Sequence, residues 1–243
     1  MAENAGLDPN ATPIPASSVI PVRGKDTGEF EVYMTRRHND LAVLGGFYVF
    51  PGGKVDDGDY EGTMQHRCVG INADMAMAIT GCRDASLALG YWVTAVREFF
   101  EEAGIILVYD AGGSVPDFNN KETRKKFDSY RSLLHSGDIS FGEMLEKENL
   151  KLATDLLRHF SHFITPPGNW RRFDAHFYVA VVPEAQRPRF HEAEISEGLW
   201  STPSDALDKA SRGEWKMIPP TIYNLLNLKK YDRLDNLLRY LAG

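Results

Sequence analysis

The run Arg97-Glu98-Phe99-Phe100-Glu101-Glu102-Ala103-Gly104-Ile105 holds three carboxylates at i, i+3 and i+4. On an α-helix these positions share one face, where like charges repel by about 0.2 to 0.5 kcal/mol per pair. A solvated acidic face is the plain reading. The chemical reading is a hard divalent cation held by carboxylate oxygens, with Arg97 supplying part of the positive charge. Upstream, Phe50-Pro51-Gly52-Gly53-Lys54-Val55-Asp56-Asp57-Gly58-Asp59 sets a glycine turn beside a second acidic cluster. The proline stops regular structure, and the glycines permit positive φ or close backbone approach. Later in the chain, His191 to Glu197 offers Glu194, and after it Glu197, as a further cation ligand or general base, against the plain reading of an acidic loop. Arg36, Arg37, Arg171 and Arg172 are candidate phosphate contacts. His159 and His162 stand at i, i+3 in what reads as an apolar helix, as packed or partly exposed rings with no third ligand at a convincing spacing.

These groups need a framework. The 243 residues are long for one average domain and short for two, so one core with insertions is expected. A hydrophobic content of 43% and a charged content of 25% fit a packed globular chain. The net charge of −7 disfavours nucleic-acid binding through the overall field, so an anionic ligand needs local help from a cation. Cys68 and Cys82 lie 14 positions apart without CxxC or paired histidines, which indicates neither a disulfide scaffold nor a zinc site. No apolar run approaches the ~20 residues of a membrane span, and no signal-like start or Ser-Lys-Leu ending is seen, so a cytoplasmic protein is expected.

Residues 1–16 read as a loose tail, and 17–243 as a single domain with insertions at about 60–90 and 112–163. Ser18 to Arg23 and Phe30 to Arg37 read as strands joined by a glycine turn, with a short third strand at Phe47 to Phe50. Ala85 to Ala103 reads as a helix whose Trp92, Val96, Phe99 and Ala103 form one apolar stripe opposite the carboxylates, closed by Gly104. A short strand is expected at Ile105 to Tyr109, and two or three amphipathic helices across 117–163. This helical segment is open to two roles, a substrate lid or a dimer interface. Phe173 to Val182 has strand composition, Ser201-Thr202-Pro203 starts a helix, and leucine-spaced helices follow at Pro219 to Leu228 and Tyr231 to Leu241.

The glycine turn and the carboxylate helix together resemble the Nudix box: Gly, five residues, Glu, seven residues, then Arg-Glu-apolar-x-Glu-Glu-x-Gly-apolar. Gly53 takes the first glycine, Asp59 replaces the first Glu, and Arg97 to Ile105 match every fixed position. Asp59 and Arg97 are separated by 37 residues instead of seven, so an insertion of 30 splits the box. Such a split is similar to the peroxisomal coenzyme A diphosphatase branch. Tyr33 to Arg37 and Gly46 to Gly53 resemble the coenzyme A segment of that branch, except that Ala42 stands where an arginine is usual. Ile164-Thr165-Pro166, Arg171 to Asp174 and Ile218 to Thr221 resemble recurring stretches of the longer Nudix proteins.

The resemblance implies an α/β fold, the Nudix α/β/α sandwich with a mixed sheet, carrying helical insertions and C-terminal helices. It implies hydrolysis of the pyrophosphate of a nucleoside diphosphate linked to another moiety, with Mg²⁺ or Mn²⁺ bound by Glu98, Glu101, Glu102 and the Gly53 carbonyl. Arg97 would orient the carboxylates, Glu194 would act as ligand or base, and Arg37, Arg36 and Phe50 would meet the substrate. Coenzyme A or acyl-coenzyme A is the expected substrate. ADP-ribose, NADH and dinucleoside polyphosphates are the alternatives within that chemistry, and a non-catalytic nucleotide sensor is the alternative outside it. Neither nucleic acid nor membrane is expected as a partner, and a homodimer is left open.

Overall fold

A computed structural model describes residues 11–169, 171–191 and 194–242. The first strand, β1 (Ile14–Gly24), and β2 (Phe30–Arg37) pair antiparallel. β1 also starts four residues before the expected Ser18, shortening the tail. The short β3 (Tyr48–Val49) and β4 (Gly52–Lys54) pair with β2 and β1 respectively. A helical stretch follows with α1 (Gly62–Gln65), α2 (Ala73–Thr80) and the 19-residue α3 (Ala85–Ala103). Next come β5 (Val108–Tyr109), α4 (Lys121–Ser136), α5 (Phe141–Lys147), β6 (Lys151–Leu152), β7 (Arg158–Ile164), β8 (Phe173–Val181) and β9 (Ile195–Ser201). The chain closes with α6 (Pro203–Ser211), α7 (Pro219–Leu228) and α8 (Leu234–Leu241).

Among the described residues seven strands form one mixed sheet in the order β3-β2-β1-β8-β7, with β4 on β1 and β9 on β2. Among the described strands of this sheet, β1 and β8 pair parallel and the others antiparallel. Strand side chains alternate between faces: Val19, Tyr33 and Tyr178 enter the core under α3, while Ile20, Val32, Met34, Phe177 and Val179 enter a second core. α6, α7 and α8 cover that second core through Ala206, Leu225, Leu228 and Leu237. The result is the expected α/β/α sandwich.

α3 forms where its caps dictate. Asp84 accepts the N–H groups of Ser86 and Leu87, and Gly104 adopts φ +68 at the C-cap, a left-handed conformation that costs glycine little. The helix is buried on more than one stripe, because Ala95 and Phe100 join Trp92, Val96 and Phe99 in the core. The extra cover comes from the insertions. Met64 and Ala76 of the first, and Phe118, Phe127, Tyr130, Met144 and Leu145 of the second, pack into the α3 core. The two insertions also bond to each other: Val69 N–H donates to Leu152 O at 3.0 Å and Leu152 N–H to Arg67 O at 2.8 Å. Arg67 Nη1 donates to the Leu145 and Leu150 carbonyls, and Thr154 Oγ1 to Val69 O.

Two expectations need correcting. Within 105–109 only Val108–Tyr109 pairs as a strand, with β6, and Ile105 to Leu107 form a buried connector. The region 117–163 is not helical throughout, since Arg158–Ile164 is the edge strand β7, antiparallel to β8. A bulge between His159 and Ser161 interrupts the two-residue alternation. It puts Phe160 and Phe163 on one face and His159 and His162 on the other, and this i, i+3 spacing imitates a helix. No helix among the described residues is long and apolar enough to cross a membrane.

Candidate active site

The split halves of the acidic motif meet at Arg97. The backbone turn Asp57–Asp59 is closed by a capping box, in which Asp56 N–H donates to Asp59 Oδ2 at 3.0 Å. The buried Asp59 carboxylate then accepts both arms of the guanidinium, from Nε to Oδ1 and from Nη2 to Oδ2, each at 2.8 Å. Thr94, one turn before Arg97 on α3, donates to the same Oδ2 at 2.8 Å. Arg97 Nη2 also donates to Lys54 O, and Nη1 to Glu98 Oε1 at 2.8 Å. Glu101 Oε2 lies 3.6 Å from Nη1. One planar donor fork thus ties the glycine turn, the acidic turn and the carboxylate helix together.

Glu102 is held from the other side. Its Oε2 accepts Gly52 N–H at 2.8 Å, and its Oε1 lies 3.7 Å from Arg37 Nη1. Arg37 in turn reaches Glu194 Oε2 at 3.8 Å and donates from Nε to Val43 O. Near the end of α3 the carbonyls of Glu101 and Glu102 accept Arg131 Nε and Nη2 at 2.8 and 3.0 Å, so α4 of the second insertion holds the carboxylate end of the helix.

Burial raises the protonation of all three glutamates. Glu98 is pushed up to about 8 by desolvation, opposed by Arg97 and reinforced by Glu102 and Glu101. Glu102 is pushed up to about 7 by desolvation, against the Gly52 N–H and Arg37. Glu101 is also raised, again chiefly by burial. The nearest guanidinium is already engaged by Asp59, so the cluster is short of positive charge. Gly53 shows why the space matters: a Cβ there would stand 2.3 Å from Glu98 Oε1. Glu98 and Glu101 beside Arg97 Nη1, Glu102 beside Gly52 N–H and the bare Gly53 backbone offer oxygen donors of the kind that suits a hard divalent cation.

The structure sorts the predicted residues. Arg97, Glu98, Glu101, Glu102, Gly53, Arg37 and Glu194 come together. Arg36 does not, because it lies over the Tyr48 ring at 5.9 Å, and Tyr48 stacks on Trp215 at 4.2 Å on the far side of the sheet. Glu197 follows it there, accepting Tyr48 O–H at 2.8 Å. Phe50, expected against the substrate, is 3% exposed and packed in the second core. Arg172 donates to the Thr165 and Ala11 carbonyls, pinning a turn instead of facing the glutamates. Thr94, Gly52 N–H and Arg131 were missed. Helical spacing from Arg97 could have found Thr94, whereas nothing in sequence points from α4 to α3.

A mixed sheet between helical layers, with a glutamate-rich helix docked on a glycine turn, defines the Nudix hydrolase class. The chain belongs to the family described as the NUDT19 Nudix domain, whose model matches residues 82–228, more than half of it. It is 25% identical over 209 residues to a protein of Caenorhabditis elegans named putative nudix hydrolase 7, covering 86% of this chain and 59% of that one. It is 24% identical over 245 residues to the acyl-coenzyme A diphosphatase NUDT19 of Gallus gallus, covering 87% of this chain and 64% of that one. The chain therefore spans less than two thirds of the length of these relatives. Among solved structures, a NUDIX hydrolase from Alicyclobacillus acidocaldarius superposes with a TM-score of 0.73 at 27% identity, over 96% of this chain and 97% of that one.

Proposed function

We propose that this chain hydrolyses the pyrophosphate of a nucleoside diphosphate linked to another group, with coenzyme A or acyl-coenzyme A as substrate and Mg²⁺ or Mn²⁺ as cofactor. The observation that carries this is the helix face of Glu98, Glu101 and Glu102 docked on the Gly52-Gly53 turn, with the nearest guanidinium committed to Asp59. The naming of vertebrate relatives as acyl-coenzyme A diphosphatases supports the substrate. Glu98, Glu101, Glu102 and the Gly53 carbonyl would hold the cation, which when bound neutralises charge on the diphosphate and lowers the pKa of an attacking water. Arg97 is a positioning residue: it holds Glu98 while Asp59 holds it. Arg37, between Glu102 and Glu194, would bind a phosphate oxygen, and the Glu194 carboxylate would take a proton from water.

The test incubates purified protein and Mg²⁺ with coenzyme A, an acyl-coenzyme A, ADP-ribose, NADH and diadenosine polyphosphates, reading products by mass spectrometry. Formation of 3′,5′-ADP with a 4′-phosphopantetheine product from coenzyme A, lost in Glu101→Gln, is expected. Cleavage of ADP-ribose or NADH alone would overturn the substrate. Undiminished activity in Glu101→Gln would overturn the role given to the glutamates, and tight binding without cleavage would favour a sensor.

A further inference from the structure

On the same sheet, but with β1 between it and the glutamate cluster, β7 and β8 assemble a different set of groups. His162 and His176 are cross-strand partners, and their rings stack in parallel with centroids 4.1 Å apart and an interplanar angle of 4°. Asp174, two residues before His176 and so on the same face of β8, contacts His162 Nε2 through Oδ1, while His176 Nε2 lies 3.9 Å from that oxygen. One ligand atom from each of the three falls within 4.8 Å of the others. Around a tetrahedral ion with bonds of about 2.0 to 2.2 Å, ligand atoms sit roughly 3.4 Å apart, so the set needs the His162 contact to open and the 3.9 Å between His176 and Asp174 to close slightly.

The surroundings are built to orient this set. His176 is 1% exposed, and its Nδ1 lies 3.0 Å from His159 Nε2. With His159 as acceptor, His176 carries its proton on Nδ1 and turns the Nε2 lone pair toward Asp174, the arrangement that fixes metal-binding histidines. Tyr91 O–H donates to Asp174 Oδ2 at 3.3 Å, leaving Oδ1 for a ligand. The partly exposed His162 and Asp174 keep one side open to water. Two imidazoles and one carboxylate select a borderline ion such as Zn²⁺, in contrast to the all-oxygen glutamate cluster, which suits Mg²⁺ or Mn²⁺.

We infer that His162, Asp174 and His176 form a second divalent cation site, for a Zn²⁺-class ion, that fastens the edge strand β7 to β8, with His159 and Tyr91 as orienting groups. Co²⁺ serves as the probe, titrated into chelator-stripped full chain in excess Mg²⁺ and followed by visible absorption, with Zn²⁺ as competitor. One equivalent is expected to give a low-symmetry absorption band that Zn²⁺ abolishes. His162→Ala and Asp174→Asn, both at partly exposed positions and each checked for an unchanged circular dichroism spectrum, should lower Co²⁺ affinity by at least about 100-fold. His159→Phe, which removes only the acceptor on His176, should lower it by about 10- to 100-fold. Glu101→Gln should leave it unchanged. A band that survives His162→Ala and Asp174→Asn, a band that Glu101→Gln removes, or no band at all would overturn the site.

Discussion

Replacing Asp59 with Asn tests whether the split motif is closed by charge as well as by shape. Every group that faces the carboxylate is a donor: Arg97 Nε meets Oδ1, while Arg97 Nη2, Thr94 Oγ1 and Asp56 N–H meet Oδ2. A carboxamide has one oxygen, so in either orientation its NH₂ group points at an N–H that cannot accept. Breaking a buried pair by changing one partner costs about 3 to 5 kcal/mol. Glu98 remains 2.8 Å from Nη1, so the guanidinium keeps a counter-charge and the lower end, about 3 kcal/mol, applies. In a chain of this size each kcal/mol shifts Tm by about 2 to 4 °C, giving a fall of about 6 to 12 °C by calorimetry. Asp56→Asn is the matched control. Asp56 is 65% exposed and 3.4 Å from the same guanidinium, and should change stability by about 0 to 1 kcal/mol. An Asp59→Asn melt within about 2 °C of wild type would refute the reasoning.

Gly53→Ala puts a methyl group 2.3 Å from Glu98 Oε1 and should lower kcat on the accepted substrate by roughly tenfold, about 1.4 kcal/mol, in steady-state assays. An unchanged kcat would show that Glu98 yields freely. Arg131→Met removes the donors from the Glu101 and Glu102 carbonyls and should lower the unfolding free energy by about 2 kcal/mol in urea titrations. Between pH 6.5 and about 4 the unfolded chain protonates His159 and His176 while the folded chain does not, so the unfolded chain binds more protons and stability is lost as the pH is lowered. The slope is about 1.4 kcal/mol per pH unit for each ring, set among Tyr91, His162 and Asp174, and it should lessen in His159→Phe when urea midpoints at pH 7 and 5 are compared.

What could be read from sequence was what local chemistry decides. α3 runs from Ala85 to Ala103 as expected because Asp84 and Gly104 cap it, and β2 spans Phe30 to Arg37 because its aromatic and β-branched residues follow a glycine turn. The glutamate triad was legible because helical spacing alone puts it on one face. The bulge in β7 was not, since one extra residue converts a strand pattern into a helical one. Nor was the face of Arg36, because adjacent arginines on a strand look alike until the sheet assigns Arg37 to the α3 side. Phe50 belonged to a matched segment, yet its size and apolar surface took it into the second core. The third partner for His162 and His176 was invisible for the same reason as the bulge: Asp174 arrives across a strand pairing, not along a helix.

The hydrogen bonds between residues 67–69 and 145–154 join the two insertions, which enter the chain at separate points, into one appendage on α3. Deleting the second would strip Phe127, Met144 and Leu145 from the α3 core, and deleting the first would take the Arg67 and Val69 backbone partners from Leu152 and the Arg67 guanidinium from the Leu145 and Leu150 carbonyls. Neither can be trimmed alone. A minimal core made from this chain must lose both together and repaint the exposed flank of α3 with polar residues.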